Sequence, residues 1–325
     1  MGLRQLLVRA ATSRPRVLVI EMPGGTQARM AAERELDRRG WPPGTAPGSA
    51  DVLLLAGSVP EELASAVDLL WDQLPGPRTR ACPTGPDDVV AELDRAQASL
   101  RDDPQQRLDA RERDREPAGS WVEDDMDHGD MDHGDMDHGD MEMAPGGIAL
   151  AEGADDRDGL EMDVLTHPLG PLLDRWPGGL ELRLTLHGDV VGDASARRWG
   201  SREQDRPFQV AAWDAVATTL SLAGDERGAH AARGIRAAMI DEVEVPTGSA
   251  ARLRTRVARL AAWSVVPDSV ATTLLDLTSE ADHAPRPTLR VGELVRGRDL
   301  ADVRLLIASH SPLLATDEHE AAARD

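Results

Sequence analysis

The residues best suited to chemistry lie in a short repeat near the middle of the chain. The five residues Met-Asp-His-Gly-Asp occur three times between Met126 and Asp140, and Met141-Glu142-Met143 follows. Thioether sulfur and imidazole nitrogen together suit copper, and imidazole with carboxylate also suits nickel or zinc. The repeat therefore predicts a transition-metal site, and the alternative interpretation is a solvated acidic spacer. The candidate ligands are Met126, His128, Met131, His133, Met136, His138, Met141 and Met143.

Cys82 is the only cysteine of the 325 residues. A single thiol excludes a disulfide framework and any zinc or iron–sulfur site built from several thiolates of this chain. Cys82 precedes a predicted helix, whose N-terminus could lower the pKa of the thiol. No histidine or carboxylate base is paired with it in the sequence, so a buried structural cysteine is the favoured interpretation.

Two further features each have a functional and a plain interpretation. The glycine turn at residues 21–26 (EMPGGT) could direct backbone N–H groups at a phosphate. However, neither dinucleotide nor phosphate-loop spacing is present, which favours an ordinary turn between a strand and a helix. Arginines at positions 252, 254, 256 and 259 line one predicted helix. They form either a solvated face or a surface for an acidic partner.

The charge of the chain limits its partners. There are 58 acidic and 36 basic residues, which gives a formal net charge of −22. A field of this sign repels phosphate groups, which argues against nucleic acid and against anionic lipid headgroups as ligands. Every basic residue is arginine, so a lysine Schiff base is excluded. No apolar run is long enough to span a membrane, and we expect a cytoplasmic protein.

The elements that must position these residues fall into two parts. Between residues 14 and 100, a β-branched run at 16–21, an apolar run at 51–56 and a short run at 78–82 predict three strands. Helices are predicted between and after them at 26–39, 63–74 and 89–100. Ser58 and Glu61 have the spacing of a capping box for the second helix. Alternating strands and helices predict an α/β domain with a small parallel sheet flanked by helices.

The remaining chain differs in character. Residues 101–160 contain ten acidic and no basic residues between 121 and 143 and have little apolar periodicity, so we predict a disordered acidic linker. Residues 161–315 begin with a β-hairpin, in which leucines at 180, 182, 184 and 186 alternate with polar residues. Helices are predicted at 208–223, 226–241, 249–266, 268–278 and 298–309, so this domain is mostly α-helical.

The N-terminal domain resembles the small subunit of [NiFe] hydrogenases and its relative, the B subunit of respiratory complex I. Residues 14–28 (RPRVLVIEMPGGTQA) are similar to the first strand and cluster loop, E-G-x-G-C-x-G-C. Residues 50–59 (ADVLLLAGSV) and 71–78 (WDQLPGPR) are similar to the later family motifs. In this alignment Gly25 and Ala28 occupy the positions of cluster cysteines, and Cys82 is a relic of a later ligand. The resemblance therefore implies that the [4Fe–4S] cluster is lost, because four ligands are needed.

The C-terminal domain resembles the D subunit of complex I, a relative of the hydrogenase large subunit. Residues 167–170 (HPLG) and 177–191 (PGGLELRLTLHGDVV) are similar to the hairpin that helps to form the quinone pocket, with His167 as a relic of its first histidine. The second histidine has no counterpart in residues 176–179 (WPGG), and the nickel-binding cysteine pairs are absent.

The resemblance implies a fusion of shortened versions of two neighbouring subunits. We therefore expect a non-catalytic, cofactorless subunit that lies on the inner face of the cell membrane through membrane-embedded partner subunits. Two alternatives stay open: a metal-binding or metallochaperone protein that uses the repeat with copper or nickel, and a redox enzyme that borrows cluster ligands from a partner chain.

Overall fold

The structure is a computed structural model that describes residues 12–113, 153–155, 161–200, 207–279 and 288–314. It confirms the predicted α/β class, with a small parallel sheet among helices and a separate antiparallel sheet joined to a mostly helical part. The N-terminal elements are β1 (Val17–Glu21), α1 (Thr26–Arg39), β2 (Val52–Ala56), α2 (Ala64–Asp72), β3 (Thr79–Ala81), α3 (Val89–Leu100) and α4 (Asp103–Arg113). The later elements are β4 (Gly153–Asp155), β5 (Glu161–Leu169), β6 (Leu180–His187), β7 (Val190–Arg198), α5 (Phe208–Leu222), α6 (Glu226–Ile240), α7 (Ser249–Ala262), α8 (Asp268–Leu277), α9 (Val291–Val295) and α10 (Leu300–His310).

The three N-terminal strands form a parallel sheet in the order β1-β2-β3. All five residues of the central strand β2 are buried, as expected for a strand that is covered on both faces. Successive side chains of a strand point to opposite faces. Val52 and Leu54 accordingly pack with α1 and α3, whereas Leu53 and Leu55 pack on the α2 side. This alternation determines which helices cover each face.

The capping box predicted at Ser58 and Glu61 is wrong. Pro60 has an extended backbone, so the first helical residue after it is Glu61 and the chain makes a 3-10 turn over Glu61–Leu63. The α-helix α2 begins only at Ala64, and no side chain caps it. A capping box needs helical geometry at the residue before its glutamate, which Pro60 does not provide.

The beginning of the segment predicted to be disordered is helical. Helix α4 covers residues 103–113, which lie within the predicted linker. It is held by Arg78, whose backbone N–H donates to Gln106 Oε1 at 2.9 Å and whose Nη2 donates to Asp109 Oδ1 at 3.0 Å. These contacts join residues about thirty positions apart. Helix α4 has few apolar residues, so its sequence lacks the apolar periodicity that predicts a helix.

The predicted hairpin is confirmed and belongs to an antiparallel sheet in the order β4-β5-β6-β7. Its four alternating leucines are buried and pack against α9 and α10. Strand β5 was not predicted from the sequence. Pro168 pairs with Arg183 in β6, and His167 pairs with Leu184. The structure thus places His167 in a strand rather than in a loop.

The helices α5 to α8 and α10 enclose a second core, of which α5 is the most buried member. Helix α7 ends at Ala262, earlier than predicted, because Ser264 adopts a positive φ of 55° that an α-helix cannot continue. None of the helices formed by the described residues is both long and apolar enough to cross a lipid bilayer.

Candidate functional site

The carboxyl ends of the parallel strands face the C-terminal part of the protein. Ligands of open α/β sheets generally bind at this edge. After β1 the chain turns at once, with Met22 N donating to Ala56 O at 2.8 Å and Gly25 N donating to Met22 O at 2.9 Å. Residues 22–25 therefore lie across the end of β2 before α1 begins at Thr26.

Residues 177–179, just before β6, pack directly on this turn. The backbone N–H of Gly178 donates to Glu21 Oε1 at 3.3 Å. A Cβ atom on Gly178 would lie 2.4 Å from Met22 O, and one on Gly179 would lie 2.9 Å from a ring carbon of Pro23. Only glycine permits this approach, so the two parts of the chain meet here through their backbones.

A small pocket with a volume of about 50 Å³ lies between the two parts. The β1–α1 turn and α1 form one wall, and the loop before β6, α5 and the end of α10 form the others. Its charged lining residues are Glu21, Arg29, Glu33, Arg175, Arg198 and Asp214. The pocket therefore has charged side chains of both signs in its lining.

Arg29 is the centre of this ionic site. Its side chain is 9% exposed, and its three nitrogen atoms reach three different carboxylates. Nε donates to Glu21, Nη1 donates to Glu33 Oε1 at 2.8 Å, and Nη2 donates to Asp214 Oδ2 at 2.7 Å. Because Glu21, Arg29 and Glu33 belong to the N-terminal part and Asp214 belongs to α5, the guanidinium joins the two parts.

A second buried guanidinium completes the network from the other side. Arg236 of α6 is 2% exposed and places Nη1 at 2.5 Å from Asp214 Oδ1 and 2.9 Å from Glu33 Oε2. Three carboxylates and two guanidinium groups thus alternate at the junction of the two parts. We call these five residues, Glu21, Arg29, Glu33, Asp214 and Arg236, the buried ionic network.

The pKa shifts of Arg29 and Glu33 favour the charged forms of these two groups. Burial lowers the pKa of Arg29, but attraction to Asp214, Glu33 and Glu21 outweighs burial and raises the pKa well above its ordinary value. Burial raises the pKa of Glu33, but Arg29 and Arg236 outweigh it and lower the pKa overall. Both groups stay ionised at neutral pH, so neither is available as a general acid or base.

Asp174, beside the pocket, behaves differently. Burial raises the pKa of its carboxyl to about 6, although Arg175 and Arg304 oppose this shift and Glu33 adds to it. Arg175 itself has a positive φ of 54° and donates to Ser221 Oγ at 2.6 Å. The loop before β6 therefore carries a carboxyl group whose pKa is raised toward neutrality.

Gly25 and Ala28, which the resemblance aligns with cluster cysteines, lie where cysteine ligands do not fit. A Cβ atom on Gly25 would lie 1.8 Å from Ala56 O, so no cysteine could be accommodated there without moving β2. Ala28 is 2% exposed and packs in the core between α1 and the sheet. Within the described ranges no three His, Cys, Asp or Glu side chains are grouped in a way that could hold a metal ion.

Cys82 follows β3 at the same edge of the sheet, but it is exposed, and the prediction of a buried cysteine is wrong. Its backbone N–H donates to Glu92 Oε2 at 3.3 Å. Partial burial of the thiol and the charge of Glu92 raise its pKa, which disfavours the thiolate that metals and nucleophilic reactions require. The N-terminus of the following helix does not reverse this effect.

The other predicted site residues are not brought together with the pocket. His167 is exposed on β5 and does not line the pocket. The eight candidate metal ligands between Met126 and Met143 lie outside the described residues, so that site stays a prediction.

The sequence analysis did not identify four members of the buried ionic network as site residues, namely Arg29, Glu33, Asp214 and Arg236. The available signal was the presence of single charges within apolar helical patterns, as with Asp214 in AAWDAVA and Arg236 in an alanine-rich helix. A charged residue at a core position of a helix requires a buried partner. The sequence did not identify that partner, because Arg29 and Asp214 are 185 residues apart.

Comparison with protein-family models, with curated proteins and with solved structures finds no match for this chain. The family expectation from the motifs therefore stays a hypothesis.

Proposed function

We propose that this chain is a non-catalytic structural subunit of a complex-I-like or hydrogenase-like membrane assembly. It would correspond to fused B-like and D-like subunits that have lost their cluster, held on the inner face of the membrane by membrane-embedded partner subunits. The observation that carries the proposal is the buried ionic network, which fills the junction at the carboxyl edge of the sheet.

The chemistry of the junction supports a scaffold rather than an enzyme. The carboxylates of Glu21, Glu33 and Asp214 are engaged by guanidinium groups. Breaking such a buried pair exposes an uncompensated charge, so the network favours one fixed arrangement of the two parts. A rigid junction suits a subunit whose task is to present a surface to its neighbours.

The proposal is tested by isolating the tagged full chain from its own cells after mild detergent extraction of the membranes. We expect polytopic, antiporter-like membrane proteins to copurify in a fixed ratio to the chain. The matched control is the same tag on an unrelated acidic protein of the same cells. Recovery of the chain alone from both membrane and soluble fractions would contradict the proposal.

The Met/His repeat favours a second candidate function, a metal-binding or metallochaperone protein. Eight thioether and imidazole groups within eighteen residues suit copper or nickel. Calorimetric titration of the full chain with each metal tests this function. Micromolar or tighter binding that disappears when His128, His133 and His138 are replaced by alanine would favour it, and unchanged binding in the variant would exclude the repeat as the site.

A further inference from the structure

Helix α7 carries an unusual surface for so acidic a protein. Its fourteen residues include four arginines and no aspartate or glutamate. Arg252, Arg256 and Arg259 are exposed, and at 3.6 residues per turn they share a sector about 60° wide with Trp263 at the helix end. Leu253 and Val257 point into the core from a different sector. We call the four residues 252, 256, 259 and 263 the α7 stripe.

The apolar end of the stripe is strongly exposed. Trp263 is 70% exposed and Val265 is 43% exposed, the former being the most exposed large apolar side chain among the described residues. Between them Ser264 holds the left-handed conformation, while Val265 N donates to Leu260 O at 2.9 Å. A non-glycine residue in this conformation is costly, and the apolar side chains on both sides of Ser264 are exposed.

The arginines of the stripe are only partly neutralised. The carboxylate of Asp225 accepts a hydrogen bond from Arg256, and this bond is the main reason that the pKa of Asp225 is lowered. Arg252 donates to Ser249 Oγ, and no carboxylate among the described residues pairs with Arg259. Arg227, at the start of α6, also lowers the pKa of Asp225 and adds a further positive charge nearby. The stripe therefore keeps a positive excess.

The net charge of −22 does not extend to this part of the surface. Residues 207–279 and 288–314 together contain 11 acidic and 11 basic residues, so the helical part is neutral. The undescribed residues contain 23 acidic and 8 basic residues, which accounts for −15 of the total. Since charges act over about 8 Å at physiological salt, the stripe is not governed by the average charge of the chain.

From this geometry we propose that the α7 stripe docks directly on an anionic phospholipid surface. The arginines would contact headgroup phosphates, and Trp263 would insert at headgroup depth, where amphipathic aromatic rings are favoured. The inference goes beyond docking through partner subunits, because it assigns a lipid contact to this chain itself. The net charge of −22 argues against anionic lipid as a ligand of the chain as a whole, but it does not apply to this local positive surface.

The test is sedimentation of the purified full chain with vesicles of phosphatidylcholine alone, or of phosphatidylcholine containing about one third phosphatidylglycerol. We expect binding to the anionic vesicles only, and we expect it to weaken as salt rises from about 0.05 to 0.5 M. The double variant Arg252→Glu/Arg259→Glu should bind at least about 10-fold more weakly. Trp263→Ala, which keeps every charge, should also weaken binding.

The matched control is Arg95→Glu/Arg101→Glu, which makes the same change in net charge on exposed arginines at α3. It should bind as the unaltered chain does, and circular dichroism should show that every variant folds. Equal losses in the two double variants would mean that only overall charge matters, and would overturn the proposal.

Absence of binding to anionic vesicles would also overturn it. If the stripe variant then failed to copurify membrane subunits, the stripe would be a protein contact, and the proposed function would survive the loss of the lipid contact.

Discussion

At the scale of single residues, Arg29 has the largest structural role. Its guanidinium pairs with three carboxylates that belong to two parts of the chain. Removing one partner of a buried ion pair leaves an unpaired charge in a medium of low polarity, which costs far more than the pair contributes when intact.

We therefore expect Arg29→Met to lower the free energy of unfolding by about 3–5 kcal/mol. The measurement is urea unfolding followed by circular dichroism. Arg38→Met is the control on the same helix, because Arg38 is 68% exposed and its ion pair with Glu35 should contribute no more than about 1 kcal/mol. A loss below about 1 kcal/mol in Arg29→Met would show that the network does not stabilise the junction.

Gly25 gives a second residue-scale prediction. A methyl group at this position would meet the carbonyl oxygen of Ala56, so Gly25→Ala should cost about 1–3 kcal/mol through displacement of the turn. Gly48→Ala is the control, because a Cβ there meets no atom within 4 Å. Unfolding curves of the two variants test this directly, and equal stability would contradict the described packing at the end of β2.

Asp174 predicts a pH dependence. Its folded-state pKa of about 6 lies above its ordinary value of 3.8, so the folded protein holds this proton more tightly than the unfolded chain. Below about pH 4 the carboxyl of Asp174 is protonated in both the folded and the unfolded state, and its burial costs least. As pH rises from about 4 to 6 the unfolded chain loses this proton first, so the free energy of unfolding falls. Asp174→Asn cannot ionise and should gain about 2–3 kcal/mol relative to the unaltered chain over this range.

Urea unfolding at a series of pH values between about 4 and 7 measures this difference. Asp193→Asn is the control of opposite sign, because the hydrogen bond from Arg296 lowers the pKa of Asp193. Its stabilising interaction is present at neutral pH and is lost on acidification. A stability difference for Asp174→Asn that did not change with pH would contradict a raised pKa.

At the scale of elements, local periodicity was sufficient for much of the fold. The alternating leucines of β6 and the buried runs of β1 and β2 have one favoured interpretation, because their side-chain pattern matches a sheet face or a doubly covered strand. Strand β5 and helix α4 were missed because what stabilises them is not local. Strand β5 contains Pro168, and α4 has no buried residue.

Helix α4 therefore depends on its contacts with Arg78. Asp109→Ala removes the buried ion pair to Arg78 and an i,i+4 pair to Arg113, which itself contributes only a few tenths of a kcal/mol. We expect it to accelerate amide hydrogen exchange across residues 103–113 by about 5- to 10-fold. Exchange in β1 and β2 should be unchanged. Arg107→Ala is the control on the same helix, since Arg107 pairs only with Asp103 in the described structure. Equal exchange in the two variants would indicate that α4 is independent of Arg78.

At the scale of the whole molecule, the candidate site could be only partly predicted. The sequence located the turn at residues 21–26 and showed that it contains no cysteine. It could not show the buried ionic network, because Asp214 and Arg236 reach α1 from α5 and α6. A residue pattern records periodicity along the chain, whereas the junction is made by residues distant in the sequence.

The central claim is that this junction is held by charged side chains and does not contain an iron–sulfur cluster. The most direct test is to isolate the full chain anaerobically, to reconstitute it with iron and sulfide, and to measure iron, acid-labile sulfide, visible absorbance and electron paramagnetic resonance before and after. We predict no stoichiometric iron and no cluster signal in either sample. One cluster per chain, seated in the N-terminal half, would contradict the account.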